Sequence, residues 1–462
     1  MVESDRYVRQ INAFPTSKRE ASALVIFGAE ANPRAGMSLV AGAAAMGIPV
    51  IGSDFPGPSS EDKSHWLLSG YEDLAKQLNP NVEYRYLDPD LPAVDLPYIW
   101  DSQKNGWLVL FLNDMPYARR ILNSLVEARI QTGVMLGLTA PGGIVVQRCA
   151  MPLHALELVE RLPTEYVDSG PTELGILAAG LVLNEIMAAD QEILEFTQET
   201  IGFYSLHRPR RVSLLDEPVE KLFSEITKRL NKAMPTFTSM KFVMVGAGAL
   251  ANWAVIPLVL DGHNELVIYD GDPKVEVHNL NRQILLINGA GKNKPKVTVL
   301  AEELRKLEPR GHYEGIVKYI KSVDDLGSLD GVDSFLCLPD NNQARLTCDE
   351  ARRGTDILFA TGGSSPVGCQ AIISQKACLR CLGITEDPTQ NEQVNESCAL
   401  VEEEAIVSTN MVCAGLLLSE IRMGLAGRPT ANVRMVGDSL IQGNRLLRMI
   451  SSPNCPHSVI AR

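Results

Sequence analysis

KFVMVGAGALANWAVIPLVLDGHNELVIYDGD, residues 241–272, contains a short apolar run, a glycine turn, an apolar helical stretch and a second run ending in acidic residues. That order reads as a buried strand, a turn, a helix and the next strand. It occurs once before, at 23–54, as ALVIFGAEANPRAGMSLVAGAAAMGIPVIGSD. Later blocks keep step: 118–149 parallels 344–378, and the helix of GPTELGILAAGLVLNEIM (170–187) parallels that of VSTNMVCAGLLLSEIRM (407–423). Four matched blocks in one order predict two homologous α/β units, placed at 1–212 and 213–462. Strands alternating with helices imply mostly parallel sheets covered on both faces. The charged stretch HRPRRVSLLDEPVEK, 207–221, marks the junction.

Bulk properties agree with two folded units. The chain has 462 residues, 45% hydrophobic and 21% charged, enough for two sizeable cores. Its net charge of -13 argues against general nucleic-acid binding, which needs a basic footprint. The opening MVESDRYVRQ lacks an apolar signal core, and the most apolar run, LVAGAAAMGIPVIG, is broken by Gly and Pro, so neither export nor a membrane span is expected. Nine cysteines without a secretory signal point to thiols, metal ligands or catalysis in a reducing compartment, with the cytoplasm as default.

The turn at 246–251 reads GAGALA, with Gly246, Gly248, Ala249 and Ala251. Glycines here let backbone N–H groups approach a phosphate at a helix N-terminus. Asp270 ends the next strand about twenty residues on, where a carboxylate can hold a ribose hydroxyl. This much fits ATP, NAD or FAD equally, and a tight glycine turn in any α/β protein looks the same. The stretch after Asp270 is more specific. Asp272 comes next, then VEVHNLNRQILL (275–286) with Asn279, Asn281, Arg282 and Gln283. Lys296 stands in GKNKPKVTVL, and Asp340 and Asn341 stand in FLCLPDNN.

These linked elements resemble the signature of the ubiquitin-activating and sulfur-carrier-activating (ThiF/MoeB-type) adenylyltransferases, over most of 235–460. The resemblance implies two tandem Rossmann-like adenylation domains, the second active. It also implies an activity in which a C-terminal carboxylate attacks the α-phosphorus of ATP. By that resemblance Arg282 and Lys296 grip the phosphates, Asp270 binds the ribose and Asp340 holds Mg²⁺, a hard cation suited to oxygen ligands. The expected cargo is a ubiquitin-like or sulfur-carrier protein ending in Gly-Gly. The alternative is a short peptide in natural-product maturation, or another small carboxylate.

The first unit resembles the family only through architecture and its opening. Its turn, GAEANPRAG, puts Glu30 where the second unit has a glycine, and a carboxylate there would repel phosphate. No NLxRQ segment, lysine or Asp-Asn pair follows, so this unit is expected to be degenerate and not to bind ATP. It does carry DRYVRQI (5–11), resembling the opening that supplies a phosphate-binding arginine in the family. Arg9, and after it Arg6, are therefore expected to act in cis on the second unit's nucleotide; a plain basic surface turn is the alternative.

Cys378 and Cys381 have the C-x₂-C spacing of a zinc knuckle. The family completes that site with a second such pair. Here NCPHS offers Cys455 and His457, with Ser458 in the last position, so the site either binds zinc through three cysteines and a histidine or has decayed. Cys149 has no such partner. Cys398, in NESCALVEEE, falls where thioester-forming members carry their reactive cysteine; Glu396, Glu402, Glu403 and Glu404 around it would disfavour the thiolate. It is either a nucleophile or an inert loop residue. Cys337, Cys348, Cys369 and Cys413 sit in apolar patterns and are expected in the core. No segment after the last cysteine resembles the domain by which large activating enzymes recruit a conjugating enzyme. The cargo is therefore expected either to go elsewhere or to meet such an enzyme at another surface.

Overall fold

Strand alternation assigns the layers. The protein's structure, a computed structural model, describes residues 22–57, 65–88, 105–163, 165–190, 201–206, 219–228, 234–365, 368–375, 377–381, 384, 406–427, 433–438 and 448–451. In the first half these form β1 (Ser22–Phe27), α1 (Pro33–Met46), β2 (Val50–Ser53), α2 (Tyr71–Leu78), β3 (Glu83–Tyr86), β4 (Asn105–Phe111), α3 (Met115–Glu127), β5 (Gly133–Ala140), β6 (Gly143–Cys149), α4 (Pro152–Glu160), α5 (Thr172–Asp190) and β7 (Ile201–Ser205). After α6 (Val219–Thr227) come β8 (Lys241–Val245), α7 (Ala249–Leu260), β9 (Glu265–Asp270), α8 (Lys296–Leu307), β10 (His312–Val317), β11 (Ser334–Cys337), α9 (Asn342–Ala351), β12 (Leu358–Ser365), β13 (Gly368–Ser374), α10 (Val407–Leu425), β14 (Val433–Asp438) and β15 (Arg448–Ser451).

The two sheets repeat one strand order. The first runs β3-β2-β1-β4-β5-β6-β7 and the second β10-β9-β8-β11-β12-β13-β14-β15. In each, the first five strands are parallel and the rest antiparallel. The chain is α/β, with two mostly parallel, Rossmann-like sheets. Along β1, Leu24 and Ile26 face one core while Ala23, Val25 and Phe27 face another. Along β8, Phe242 and Met244 join the same core as Leu24, and Val243 and Val245 face a third. One apolar core thus lies between the sheets and holds residues of α1, α2, α5, α7, α8 and α10 from both halves. The outer faces are covered separately, by α3, α4 and α6 on the first sheet and α9 on the second. Helix α6 packs through Leu222, Phe223 and Ile226 with the first sheet, although it follows the 212/213 boundary expected from the sequence.

Helices α5 and α10 cross at the centre. Both are apolar all round, as a helix with no solvent face must be. A Cβ on Gly180 would meet Met411 Cβ at 2.8 Å, and one on Gly415 would meet Leu177 Cβ at 2.6 Å, so these glycines set how closely the helices approach. Arg422 closes the C-terminal end of the crossing. Its Nη2 and Nε bond Glu173 at 2.9 and 2.5 Å, Nη2 lies 2.7 Å from Asp261, and Nη1 donates to the Pro235 carbonyl at 2.6 Å. The guanidinium also stacks 4.0 Å from the centre of the Phe237 ring.

A second polar link joins β7 to α10. The Tyr204 hydroxyl donates to Glu420 Oε1 at 2.6 Å, and Glu420 Oε2 has no partner among the described residues. Burial pushes the Glu420 carboxyl up to about 7, against the opposing pull of the Tyr204 hydrogen bond. A carboxyl raised in the folded state keeps a proton there that the unfolded chain loses near its ordinary value. Its contribution therefore weakens stability as pH climbs from about 4.5 to about 7. Glu420→Gln removes that titration. Its melting temperature should gain on the wild type between pH 5 and pH 8, and an unchanged difference across that range would show that Glu420 does not titrate there.

Candidate active site

The site lies at the C-terminal edge of the second sheet, where β8 has β9 on one side and β11 on the other. The chain leaves β8 in one direction and returns to β11 in the other, and such switch points open a crevice. Gly246 turns the chain with φ +99°. A Cβ there would lie 2.7 Å from the Leu338 carbonyl oxygen, so only glycine fits without displacing the end of β11. Gly248 then caps α7, and apart from its own chain neighbours no described atom lies within 4 Å of where its Cβ would be. No side-chain hydrogen bond caps α7, so no capping side chain occupies the first N–H groups of the helix.

Asp270 is aimed back at the turn. It accepts the Ala247 N–H at 2.6 Å and the Asp272 N–H at 2.8 Å. Burial, then the Asp272 charge, hold its carboxyl above the ordinary value, while Lys296 and the N–H donors oppose the shift. Lys296 is the first residue of α8. Its ammonium pairs with Asp272 Oδ2, and the Tyr319 hydroxyl donates to Asp272 Oδ1 at 3.0 Å.

The Asn279–Gln283 segment is buried beside α7. Arg282 is 4% exposed, and its Nη1 donates to the His278 carbonyl at 2.9 Å and to Asn281 Oδ1 at 2.8 Å. Asn279 and Gln283 bond each other at 3.4 Å, and Asn279 Nδ2 and Gln283 Oε1 have no partner among the described residues. Unpaired buried polar atoms are costly unless a ligand or water meets them. Asp340 is exposed at the end of β11, after Pro339. Asn341, expected at the nucleotide, accepts the Ala344 N–H on its side-chain oxygen at 2.7 Å and caps α9.

Two residues that the motif reading passed over hold this site together. Asn252, fully buried, donates to the carbonyls of Ala247 at 3.2 Å and Gly248 at 2.8 Å and accepts the Leu285 N–H at 3.0 Å. Trp253 Nε1 donates to the Arg282 carbonyl at 3.2 Å. The signal was available: Asn252 is the lone polar side chain in ALANWAVIPLVL.

The equivalent crevice of the first half is filled. Gly28, φ +76°, donates its N–H to Asp54 at 2.7 Å, but the Tyr117 hydroxyl also bonds Asp54. Burial keeps the Asp54 carboxyl raised, with Tyr117 and the Gly28 and Ala29 N–H groups pulling against it. Between β1 and β4, Asn32 Nδ2 donates to Asn113 Oδ1 at 2.9 Å and to Thr139 Oγ1 at 2.8 Å. Asn113 Nδ2 donates to the carbonyls of Thr139 and Val167 at 2.8 and 2.9 Å. Glu30 is exposed in the turn.

A family model described as "ThiF family" matches residues 226–457, half of the chain. The chain belongs to the ThiF family. Solved structures similar to this ThiF-family chain include three of MccB. They are E. coli MccB with MccA-N7isoASN (19% identity, TM-score 0.37, covering 47% of this chain and 66% of that one), E. coli MccB with ATP (19%, 0.36, 47% and 64%), and the Microcin C7 biosynthetic enzyme MccB with N-formylated MccA (19%, 0.37, 47% and 66%). The match thus spans just under two thirds of those chains. No curated protein matches the chain.

Other expected residues fall differently. Cys378 is buried and Cys381 half-buried, and among the described residues no three metal-binding side chains gather. Cys455 and His457, which would complete a zinc set, lie outside the described residues, as do Arg6, Arg9 and Cys398. Cys337, Cys348, Cys369 and Cys413 are buried, as expected. Burial raises the Cys149 thiol to about 12. Among the described residues no helix is long and apolar enough to cross a membrane. Asn252→Leu keeps most of the volume at this position and deletes its hydrogen bonds. It should cost about 1–3 kcal/mol in urea unfolding, and wild-type stability would show that those bonds carry nothing.

Proposed function

We propose that this adenylyltransferase-type enzyme uses ATP to adenylate the C-terminal carboxylate of a peptide or small protein. The observation that carries the reading is Lys296 at the head of α8, paired with Asp272 beside the open Gly248 turn. The acceptor carboxylate would attack the α-phosphorus, forming an O–P bond while the bond from that phosphorus to the bridging oxygen breaks and pyrophosphate leaves. Such chemistry is mostly positioning and charge neutralisation. The first N–H groups of α7 would receive phosphate oxygens, Arg282 and Lys296 would balance their charge, and Asp270 would hold the ribose. Asn279, Asn281 and Gln283 would line the same cleft, and the unpaired atoms of Asn279 and Gln283 support a polar ligand there.

Asp340, an exposed carboxylate at the mouth of the crevice, fits Mg²⁺, which takes one or two carboxylates and fills its shell with water and phosphate oxygens. When bound, the ion would draw charge from the phosphates. Arg9 is proposed as the cis-supplied phosphate contact, with Arg6 second. A chain of two units, 1–212 and 213–462, whose first crevice is filled by its own side chains supports one nucleotide per chain. Zinc at Cys378, Cys381, Cys455 and His457 stays a proposal, and no step depends on it. A reducing, cytoplasmic setting is proposed from the nine cysteines in a sequence whose opening lacks an apolar signal core.

Lys296→Ala and Asp340→Ala should each lower ATP–pyrophosphate exchange by about 10²–10³-fold without a large fall in melting temperature, and Arg9→Ala should act in the same direction. Exchange at the wild-type rate in the first two would sink the assignment. Assaying exchange with a folded carrier ending in Gly-Gly and with a short peptide separates the two acceptor classes, because only the true acceptor supports turnover.

A second step is proposed at Cys398, whose thiolate would attack the acyl-adenylate carbonyl and release AMP, leaving a thioester. Cys398→Ala should still form the adenylate while losing the thiol-reducible adduct with the cargo. An adduct that persists in that variant excludes the step.

A further inference from the structure

Glu303 lies on α8, about two turns beyond Lys296, with its side chain only 2% exposed. Its carboxylate gathers donors from three parts of the chain. Oε2 receives His65 Nε2 at 3.0 Å, Trp66 Nε1 at 3.3 Å and Asn288 Nδ2 at 3.1 Å, while Oε1 pairs with Lys306 at 2.5 Å. His65 Nδ1 accepts the Leu67 N–H at 3.1 Å, so the ring's proton sits on Nε2 and is donated to Glu303. Burial pushes the Glu303 carboxyl up, but the hydrogen bonds from His65 and Lys306 outweigh it and hold the group at about 2. The carboxylate is therefore charged at any working pH.

The origins of those donors matter. His65 and Trp66 belong to the first half. Asn288 stands near the end of the 3-10 segment Ile284–Gly289, which starts directly after Gln283, and Gln77 of α2 reaches Asn288 Oδ1 at 3.4 Å. One buried anion thus ties the first half both to the helix that begins with Lys296 and to the segment that follows Arg282. Apolar packing between the sheets already joins the halves, and burying a charge is a poor way to add adhesion. A carboxylate with directional donors does fix orientation.

We propose that His65 and Trp66 are positioning residues for the nucleotide site: through Glu303 they set where Lys296 and Arg282 stand. This rests on the reading of those two residues as phosphate ligands. The first half then contributes to the site through a described contact, separate from any arginine at its N-terminus. A rigid helix carries displacement at Glu303 to Lys296, and misplacing a phosphate cation by about 1 Å can cost up to about 10²-fold.

The test uses the full chain titrated with ATP and Mg²⁺, alongside exchange kinetics and melting temperature. His65→Leu should raise Kd and KM for ATP about tenfold and leave KM for the carboxylate acceptor unchanged. His65→Gln, whose amide can donate to Glu303 and accept from Leu67, should recover most of the loss. The double variant His65→Leu/Glu303→Leu removes the unpaired buried charge, so its melting temperature should recover while ATP binding stays weak. If His65→Leu does not fold, Trp66→Phe, which keeps a ring and loses the donor, should show a smaller rise in Kd for ATP. ATP affinity equal to wild type in the folded variant tested, or affinity that simply tracks melting temperature across the set, overturns the proposal. A wild-type chain that binds no ATP overturns the nucleotide-site reading itself, and this inference with it.

Discussion

The crossing of α5 and α10 is the contact on which the rest depends. Neither helix has a polar face, so neither can lie on a surface, and each needs apolar neighbours on every side. A space between two sheets meets that need. The two units therefore share one core, and separating them would expose both helices at once. Within that largely apolar contact Arg422 and Glu173 form a buried charged pair. The Arg422 guanidinium is matched by two carboxylates, a carbonyl and an aromatic face, so a charge that would otherwise be costly to bury becomes a fixed point. It joins the start of α5 to the ends of α7 and α10, and so links the central crossing to the helix whose other end forms the glycine turn.

The two sheets share one strand order and so have two switch-point crevices, which side-chain chemistry separates. In the second, Gly248 faces open space and Asp270 reaches the turn through backbone N–H groups alone. In the first, Asn32, Asn113 and Thr139 satisfy one another across the gap, and Tyr117 covers Asp54. In this amide–hydroxyl network each side-chain donor already has an acceptor. Glu30 adds a negative charge at the rim.

The open crevice is held by buried polar side chains whose positions owe little to the family signature. Asn252 and Trp253 fasten the glycine turn to the Arg282 segment, and Glu303 fastens that segment and α8 to the first half. Hydrogen bonds fix direction as well as distance, and apolar contacts alone would let these segments slide.

The repeat, the α/β class and the strand-turn-helix units were legible in the sequence because apolar periodicity and glycine turns are local properties. The residues proposed for the nucleotide were legible as a pattern for the same reason, since Asp270, Asn279–Gln283, Lys296 and Asp340 keep a linear spacing set by short loops. Local pattern did not show that Asn341 caps a helix, since an Asn that caps and an Asn that meets a ligand read alike. Nor could it place α6 with the first sheet, because an amphipathic helix between two units carries no mark of which sheet it will cover. The pairing of His65 with Glu303, of Tyr117 with Asp54 and of Arg422 with Glu173 joins residues far apart in the chain. Only the tertiary structure decided those pairs, because the burial that makes a lone charge or donor costly exists only after the two sheets close over their shared core.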